Sequence, residues 1–315
     1  MSALTRRGLF PVAFAALAAP SVLAQSQPVS LMVPWAAAST PDLLARSLAR
    51  LLERELQQPV NVVNRGGSSG LVGHTALSLA QPDGQTIGIV TPELALHRAN
   101  LASDIGADSV QALALLGRVP AGLVVRANAD WRTPGDLVAA IRQTPGRIRF
   151  GGGPANGFQA AFLGAFLRGL GLEPSAVTFT PTPTAARAFQ DLAGGTLDAV
   201  LAPLSDAGPL VENNSLRVLA IADRARLRRL EAVPTLVETF ASLELPDPVM
   251  GVAGPPGMAP GVVDTMGRAL SRTLASPAWE EVAGSRDLMG PAGTGAQLTT
   301  ALQAVERALA PQRFR

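Results

Sequence analysis

One local pattern recurs and constrains everything this chain can fold into: a short apolar strand, a turn of small residues, then an amphipathic helix. It is clearest in Leu31-Met32-Val33-Pro34-Trp35-Ala36-Ala37-Ala38-Ser39-Thr40-Pro41-Asp42. There Val29–Val33 reads as a buried strand, and Ser39 or Thr40 opens a helix. The pattern returns at Ile148–Phe150, the turn Gly151 to Gly157 and the helix Phe158–Leu170. It returns again at Val177–Thr180, the turn Pro181-Thr182-Pro183-Thr184 and the helix Ala185–Leu192. The first N–H groups of a helix have no internal partner and sit at the positive end of its dipole, so each turn suits an anion. Three such units in two blocks are expected to aim their helix N-termini into one cleft.

The intervening residues supply a framework for these turns. Leu43, Leu44, Leu48, Leu51, Leu52 and Leu56 recur at helical spacing with Arg and Glu on the opposite face, and Pro59 stops that helix. Val60–Val63 predicts a second strand, Asn64 to Gly70 a turn, and a further helix runs through Ala76 and Leu79. Pro82-Asp83-Gly84 is a turn and Thr86–Val90 a third strand. This β-α-β-α-β order predicts a parallel sheet whose strand C-termini open on one edge. Leu113–Val125, around Pro120, leads out of that sheet. Leu197–Leu201 and Leu216–Ile221 read as strands of a second block, and Gly251–Gly254 as a return strand. A helix from Pro260 through Leu274, a break at Pro277 and a helix near Ala296–Leu309 close the chain.

The N-terminus reads as an export signal rather than as part of the fold. Arg6-Arg7 precede the apolar run Pro11 to Ala19, and Val22-Leu23-Ala24 forms a small-x-Ala cleavage pattern before Gln25. The run is too short for a permanent membrane anchor, and the paired arginines leave Sec and twin-arginine export both open. Without residues 1–24 the 26 strong bases fall to 24, equal to the 24 acids. Every base is Arg, which raises the isoelectric point to about 10.6 without any net charge. A nucleic-acid partner, which needs a net basic patch, is therefore not expected. About 290 residues remain, more than one core usually serves, so two domains are expected. No cysteine is present, which excludes disulfides, thiolate metal sites and cysteine nucleophiles. After the signal no apolar stretch reaches membrane-spanning length, so the mature protein is not expected to be membrane-embedded.

An ordered set of short motifs then carries a resemblance. Val33-Pro34-Trp35 with Asp42, Asn64-Arg65-Gly66-Gly67, Gly70, Gly73 and Pro82-Asp83-Gly84 come first. Pro145-Gly146, Leu192-Ala193-Gly194-Gly195 with Asp198, and Leu216-Arg217-Val218-Leu219-Ala220 follow. Val233-Pro234-Thr235 and Gly254-Pro255-Pro256-Gly257 complete the set. In order and spacing the set resembles the substrate receptors of tripartite tricarboxylate transporters, the Bug-type periplasmic binding proteins. The resemblance implies two α/β domains joined by crossing strands that close like a flytrap on a small carboxylate for delivery to a membrane permease. It also implies a periplasmic location. Three positions depart from the family pattern. Ala38-Ser39-Thr40-Pro41 stands where glycines and a threonine are usual, Pro181-Thr182-Pro183-Thr184 lacks the usual aromatic and lysine, and Ala202-Pro203 replaces an Asp-Asn pair. Pro41 removes an N–H donor, while the Ser39 and Thr40 hydroxyls are available as caps and Arg187 as a replacement charge.

These readings give a definite expectation. The fold class is α/β, with two flytrap domains, each a mostly parallel sheet flanked by helices. Residues 25–124 with 250–315 form the first domain and residues 125–249 the second. The expected ligand-binding residues are Trp35, Ala37, Ala38, Ser39, Thr40, Asp42 and Thr91 from the first domain. Gly153, Asn156, Gly157, Thr182, Thr184, Ala185 and Arg187 are expected from the second. A small organic acid and permease subunits are the expected partners of a monomer with no chemistry, no cofactor and no metal. One alternative is a ligand-presenting partner of a membrane sensor kinase. The other is a serine hydrolase, because Gly66-x-Ser68-x-Gly70 matches a nucleophile elbow, although His74 and His97 are the only histidines. Their lack of clustered acids or cysteines argues against a metal, and His74 is expected on a helix surface. Glu93 reads as a solvated loop charge or as the partner of a ligand amine. Arg224, Arg226, Arg228 and Arg229 read as a solvated face, and Trp131 and Trp279 as packing residues.

Overall fold

The computed structural model describes residues 27–309; the export signal expected over residues 1–24 lies outside the described residues. The first lobe opens with β1 (Val29–Val33), α1 (Thr40–Leu56), β2 (Val60–Asn64), α2 (Leu71–Ser78) and β3 (Thr86–Val90). A short 3-10 helix at Pro92–Leu96, α3 (His97–Leu101) and β4 (Gln111–Arg118) follow. The second lobe contains β5 (Ala121–Arg126), α4 (Pro134–Gln143), β6 (Arg149–Gly151), α5 (Phe158–Gly169) and β7 (Thr178–Phe179). It continues through α6 (Ala185–Ala193), β8 (Ala199–Pro203), α7 (Pro209–Glu212) and β9 (Leu216–Ala222). After α8 (Leu236–Thr239) the chain returns to the first lobe with β10 (Val249–Gly254), α9 (Pro260–Leu274), α10 (Pro277–Ser285), β11 (Gly293–Thr294) and α11 (Gly295–Leu309).

The two sheets have the orders β11-β4-β10-β3-β1-β2 and β7-β6-β8-β5-β9. Both are mixed. The β-α-β units pair in parallel, β2 with β1, β1 with β3, β7 with β6 and β6 with β8. The strands that carry the chain between lobes run antiparallel to their neighbours, as β10 does to β3 and β4, and β5 to β8 and β9. A strand that enters a sheet from the hinge side runs opposite to one that leaves a helix at the far edge, so the crossings themselves impose the mixture. The chain crosses over between Arg118 and Ala121 and returns between Ala222 and Val249. A boundary at residues 124 and 125 would fall inside β5.

Helical spacing buries the stripe Leu44, Ala45, Leu48, Ala49 and Leu52 of α1 against β1, β3, α9 and α10. Gln57, in the left-handed conformation, ends that helix two residues before Pro59. Pro277, expected as a break, is the first residue of a further helix whose cap is the Ser276 hydroxyl. A second apolar cluster is continuous between the lobes. It joins Leu94, Leu298, Leu302 and Val305 of the first lobe to Leu137, Phe158, Phe162 and Phe166 of the second. Ion pairs flank the crossings: Arg118 with Asp223, Arg224 with Asp247 and Arg229 with Asp287. Arg226 also pairs with Glu238, and Arg224, Arg226, Arg228 and Arg229 are all exposed, so the expected solvated face is present with three of its four arginines ion-paired. Trp279 is buried and Trp131 packs part-buried on the core, as packing residues. Among the described residues no helix is long and apolar enough to cross a membrane.

Candidate functional site

Between the lobes lies a cleft of about 870 Å³, walled by the turns that follow β1, β2, β3, β6 and β8 and the turn that precedes α6. The first of these turns is shaped by a carboxylate. Asp42, 1% exposed, accepts hydrogen bonds from the Ala38 amide at 2.8 Å, from Asn64 Nδ2 at 2.8 Å and from Arg46 Nε at 3.0 Å. Burial alone would raise its pKa, but these donors outweigh it and hold the carboxyl below the usual carboxylate range. The arrangement folds the turn so that Ala38 takes φ +65°, the conformation a glycine would adopt freely. Ser39 is the N-cap of α1 but makes no side-chain cap; its hydroxyl donates to the Ala36 carbonyl at 2.7 Å. Trp35 donates from Nε1 to Thr91 Oγ1 at 3.4 Å and also packs on the first-lobe core. It is therefore both a cleft wall and a sheet-edge cap.

Contacts from opposite lobes meet across this cleft. Thr40 Oγ1 donates to Asp206 Oδ1 at 2.7 Å and lies 2.8 Å from Ser205 Oγ. The Thr40 amide also bonds the Asp206 carboxylate, so a second-lobe acid sits on the N-terminus of α1. The reciprocal contact is made by Glu93, 3% exposed, whose Oε1 accepts from the Phe158 amide at 3.3 Å, at the N-terminus of α5. Burial pushes both carboxyls up. Thr40 draws Asp206 part of the way back, and Thr91, Glu93's own amide and the Phe158 amide do the same for Glu93. Ser69 Oγ donates to Asn156 Oδ1 at 2.6 Å, and Asn100 Nδ2 donates to the Asn156 carbonyl at 3.1 Å. The third helix N-terminus, that of α6, is capped by Thr184, whose hydroxyl accepts from the Arg187 amide at 3.2 Å. Ala185 and Ala186 line the cleft there, and their amides have no hydrogen-bond partner among the described residues.

Of the residues expected from sequence, Trp35, Ala37, Ala38, Ser39, Thr40, Thr91, Gly153, Asn156, Thr184 and Ala185 all line the cleft. Asp42, Gly157, Thr182 and Arg187 do not. Asp42 stands behind the first turn as its brace. Gly157 is the N-cap of α5, and the Thr182 hydroxyl donates to the Thr184 carbonyl. Arg187 turns along its own helix to Asp191 at 2.8 Å, one turn away, instead of replacing the missing charge. Glu93, expected first as a solvated charge, is buried. Asp206, Gln159 and the loop Gly66 to Ser69 also line the cleft and carried no ligand-binding assignment from sequence. Among the described residues no arginine lines it.

The histidines are placed differently from expectation. His74 is fully buried, its Nδ1 2.8 Å from His97 Nε2, and its Nε2 has no hydrogen-bond partner among the described residues. Neither ring nitrogen of His74 therefore bonds the Ser68 hydroxyl. No group of three potential metal ligands occurs among the described residues.

The model of the tripartite tricarboxylate transporter family receptor matches residues 44–307. The chain belongs to this family. Among curated proteins it is 29% identical to Protein BugT of Bordetella pertussis over 278 residues, covering 86% of this chain and 84% of that protein. Among solved structures, Rhodopseudomonas palustris Rpa4515 with adipate shares the fold with a TM-score of 0.80 at 23% identity, covering 89% of this chain and 94% of that one. MatC from the same organism, with bound malate, does so with a TM-score of 0.76 at 20% identity, covering 89% and 97%. This tripartite tricarboxylate transporter receptor is thus a two-lobed periplasmic solute-binding protein that serves a membrane permease, and it is not an enzyme.

Proposed function

We propose that this receptor closes its two lobes on one small carboxylate, held by backbone N–H groups at the cleft rather than by a basic side chain. The observation that carries the reading is the convergence of the α1, α5 and α6 N-termini on a single cleft of about 870 Å³. Such a volume suits a small molecule, and oriented amides hold a carboxylate without the desolvation cost of a buried cation. The malate and adipate bound by MatC and Rpa4515 support the ligand class. The direct site is taken to be Trp35, Ala37 to Thr40 and Thr91 with Gly153, Asn156, Thr184 and Ala185, while Asp42 acts by shaping the first turn. The lobes are divided at the crossings, residues 119–120 and 223–248, and the receptor works as a monomer.

A ligand that binds only the folded form stabilises it by about 2.7 kcal/mol at one hundred times its dissociation constant. A thermal-shift screen of di- and tricarboxylates, aromatic acids and amino acids at millimolar concentration is expected to contain acids that raise the melting temperature. No shift with any acid would reject the reading. Asn156→Ala is expected to weaken the binding of a hit at least fivefold by calorimetry; unchanged affinity removes Asn156 from the site.

A further inference from the structure

Resting on that carboxylate reading, we infer that the ligand is a monoacid whose far end donates hydrogen bonds, an amide or an ammonium, with Asp206 and Glu93 as the groups that select it. The first observation is that the protein's own carboxylates already occupy two of the three converging helix N-termini. Asp206 sits on α1 through the Thr40 hydroxyl and amide, and Glu93 sits on α5 through the Phe158 amide. Each acid comes from the lobe opposite the helix it serves. Of the three, the α6 N-terminus has neither carboxylate; Ala185 and Ala186 line the cleft there, and their amides have no hydrogen-bond partner among the described residues. We place the ligand carboxylate at that terminus.

The second observation is the charge of the walls. Asp206 and Glu93 both line the cleft, and among the described residues no arginine does. The chain has no lysine, Arg46 is held by Asp42, Arg187 is held by Asp191, and Arg65, between two lining residues, is exposed. A second ligand carboxylate would stand beside the buried Glu93 and the half-buried Asp206 with no lining cation among the described residues to offset it. Carboxylates accept hydrogen bonds, so an N–H-bearing group satisfies the same wall. A site built to bond such a group discriminates strongly against an isostere that lacks the donor.

Matched acids of four, five and six carbons test this by thermal shift and calorimetry at neutral pH. At each length the set holds the diacid, its monoamide and the ω-amino acid; at five carbons these are glutarate, glutaramate and 5-aminopentanoate. At the preferred length, a donor-bearing monoacid is expected to bind at least tenfold tighter than the diacid. Asp206→Asn, and separately Glu93→Gln, should shrink that preference at least fivefold, with folding of each variant checked by its own melting transition. A diacid that binds as tightly as its monoamide, or a preference unchanged in both variants, overturns this inference and leaves the carboxylate reading standing. Silence from all nine acids, with hits elsewhere in the broader acid screen, does the same. Silence from every acid tested overturns both. Arg65→Gln serves as the control: a diacid preference that disappears in it would assign the second carboxylate to Arg65 and reject the roles given to Asp206 and Glu93.

Discussion

Ala38 holds a left-handed backbone that glycine would adopt without strain, and it does so because its amide is pinned to Asp42. The left-handed region costs a residue with a Cβ about 1–2 kcal/mol. Glycine's extra freedom in the unfolded chain gives back about 0.5–1 kcal/mol of any gain. Ala38→Gly is therefore expected to stabilise the receptor by about 0.5–1 kcal/mol, read as a higher urea midpoint with an unchanged slope; a lower midpoint would refute the strain. At this scale the sequence was partly legible. The small residues and the Ser-Thr-Pro start announced the turn and its helix, because caps and φ restrictions act over three or four residues. Arg187 was misplaced because an acid one helical turn away, Asp191, competes for it more closely than the cleft does. Asp206 went unassigned and Glu93 read only as a solvated charge or the partner of a ligand amine, because each acquires its role from a residue of the other lobe, Thr40 at a separation of 166 positions and Phe158 at 65.

Among the elements, α2 approaches the β1 turn closely enough to bear on the cleft. A Cβ on Gly73 would lie 2.6 Å from both the Arg65 carbonyl oxygen and Pro34 Cα, backbone atoms that cannot move aside. Gly73→Ala must then push α2 off the first two turns that wall the cleft, and overpacking of this kind costs about 1–3 kcal/mol. The variant is expected to melt lower and to bind a carboxylate hit at least tenfold more weakly; wild-type stability would show that the helix has room to shift. Strand and helix order was readable from period and breakers, since the β-α-β-α-β run and the return at Gly251–Gly254 fall where alternating apolar runs and Pro-Gly turns set them. The antiparallel members of each sheet were not readable, because direction in β5 and β10 is fixed by which lobe the chain has just left. His74 was placed on a surface because its helix has only a weak apolar face, and nothing local signals that a second histidine 23 positions away will close over it.

For the molecule as a whole, that histidine pair sets a pH limit. Burial depresses both imidazoles, His97 to about 4 and His74 well below the ordinary range, the second lowered further by its neighbour. Below pH 6.5 the unfolded chain takes up protons at these positions that the folded chain refuses, so stability falls as the pH drops from about 6.5 toward 4. Glu93 and Asp206 act in the opposite sense, since a raised carboxyl gives stability that is complete below its unfolded pKa and is lost as the pH rises through the folded one. Between pH 7.5 and 5.5 each histidine contributes a loss of about 1.4 kcal/mol, offset in part by the two carboxyls, and a net loss of stability is expected in urea titrations; a flat profile there would show that the pair is not buried in the neutral form. The sheet orders carry a consequence for how the chain is made. The second lobe's five strands all lie within residues 121–222, whereas β10, the link between β3 and β4, is not synthesised until residues 249–254. The later lobe can be finished while the earlier one still has a gap in its sheet, with the edges of β3 and β4 unpaired. More than one hundred and twenty residues separate the end of β4 from the start of β10, and the growing chain is most in need of a chaperone while that stretch is being made.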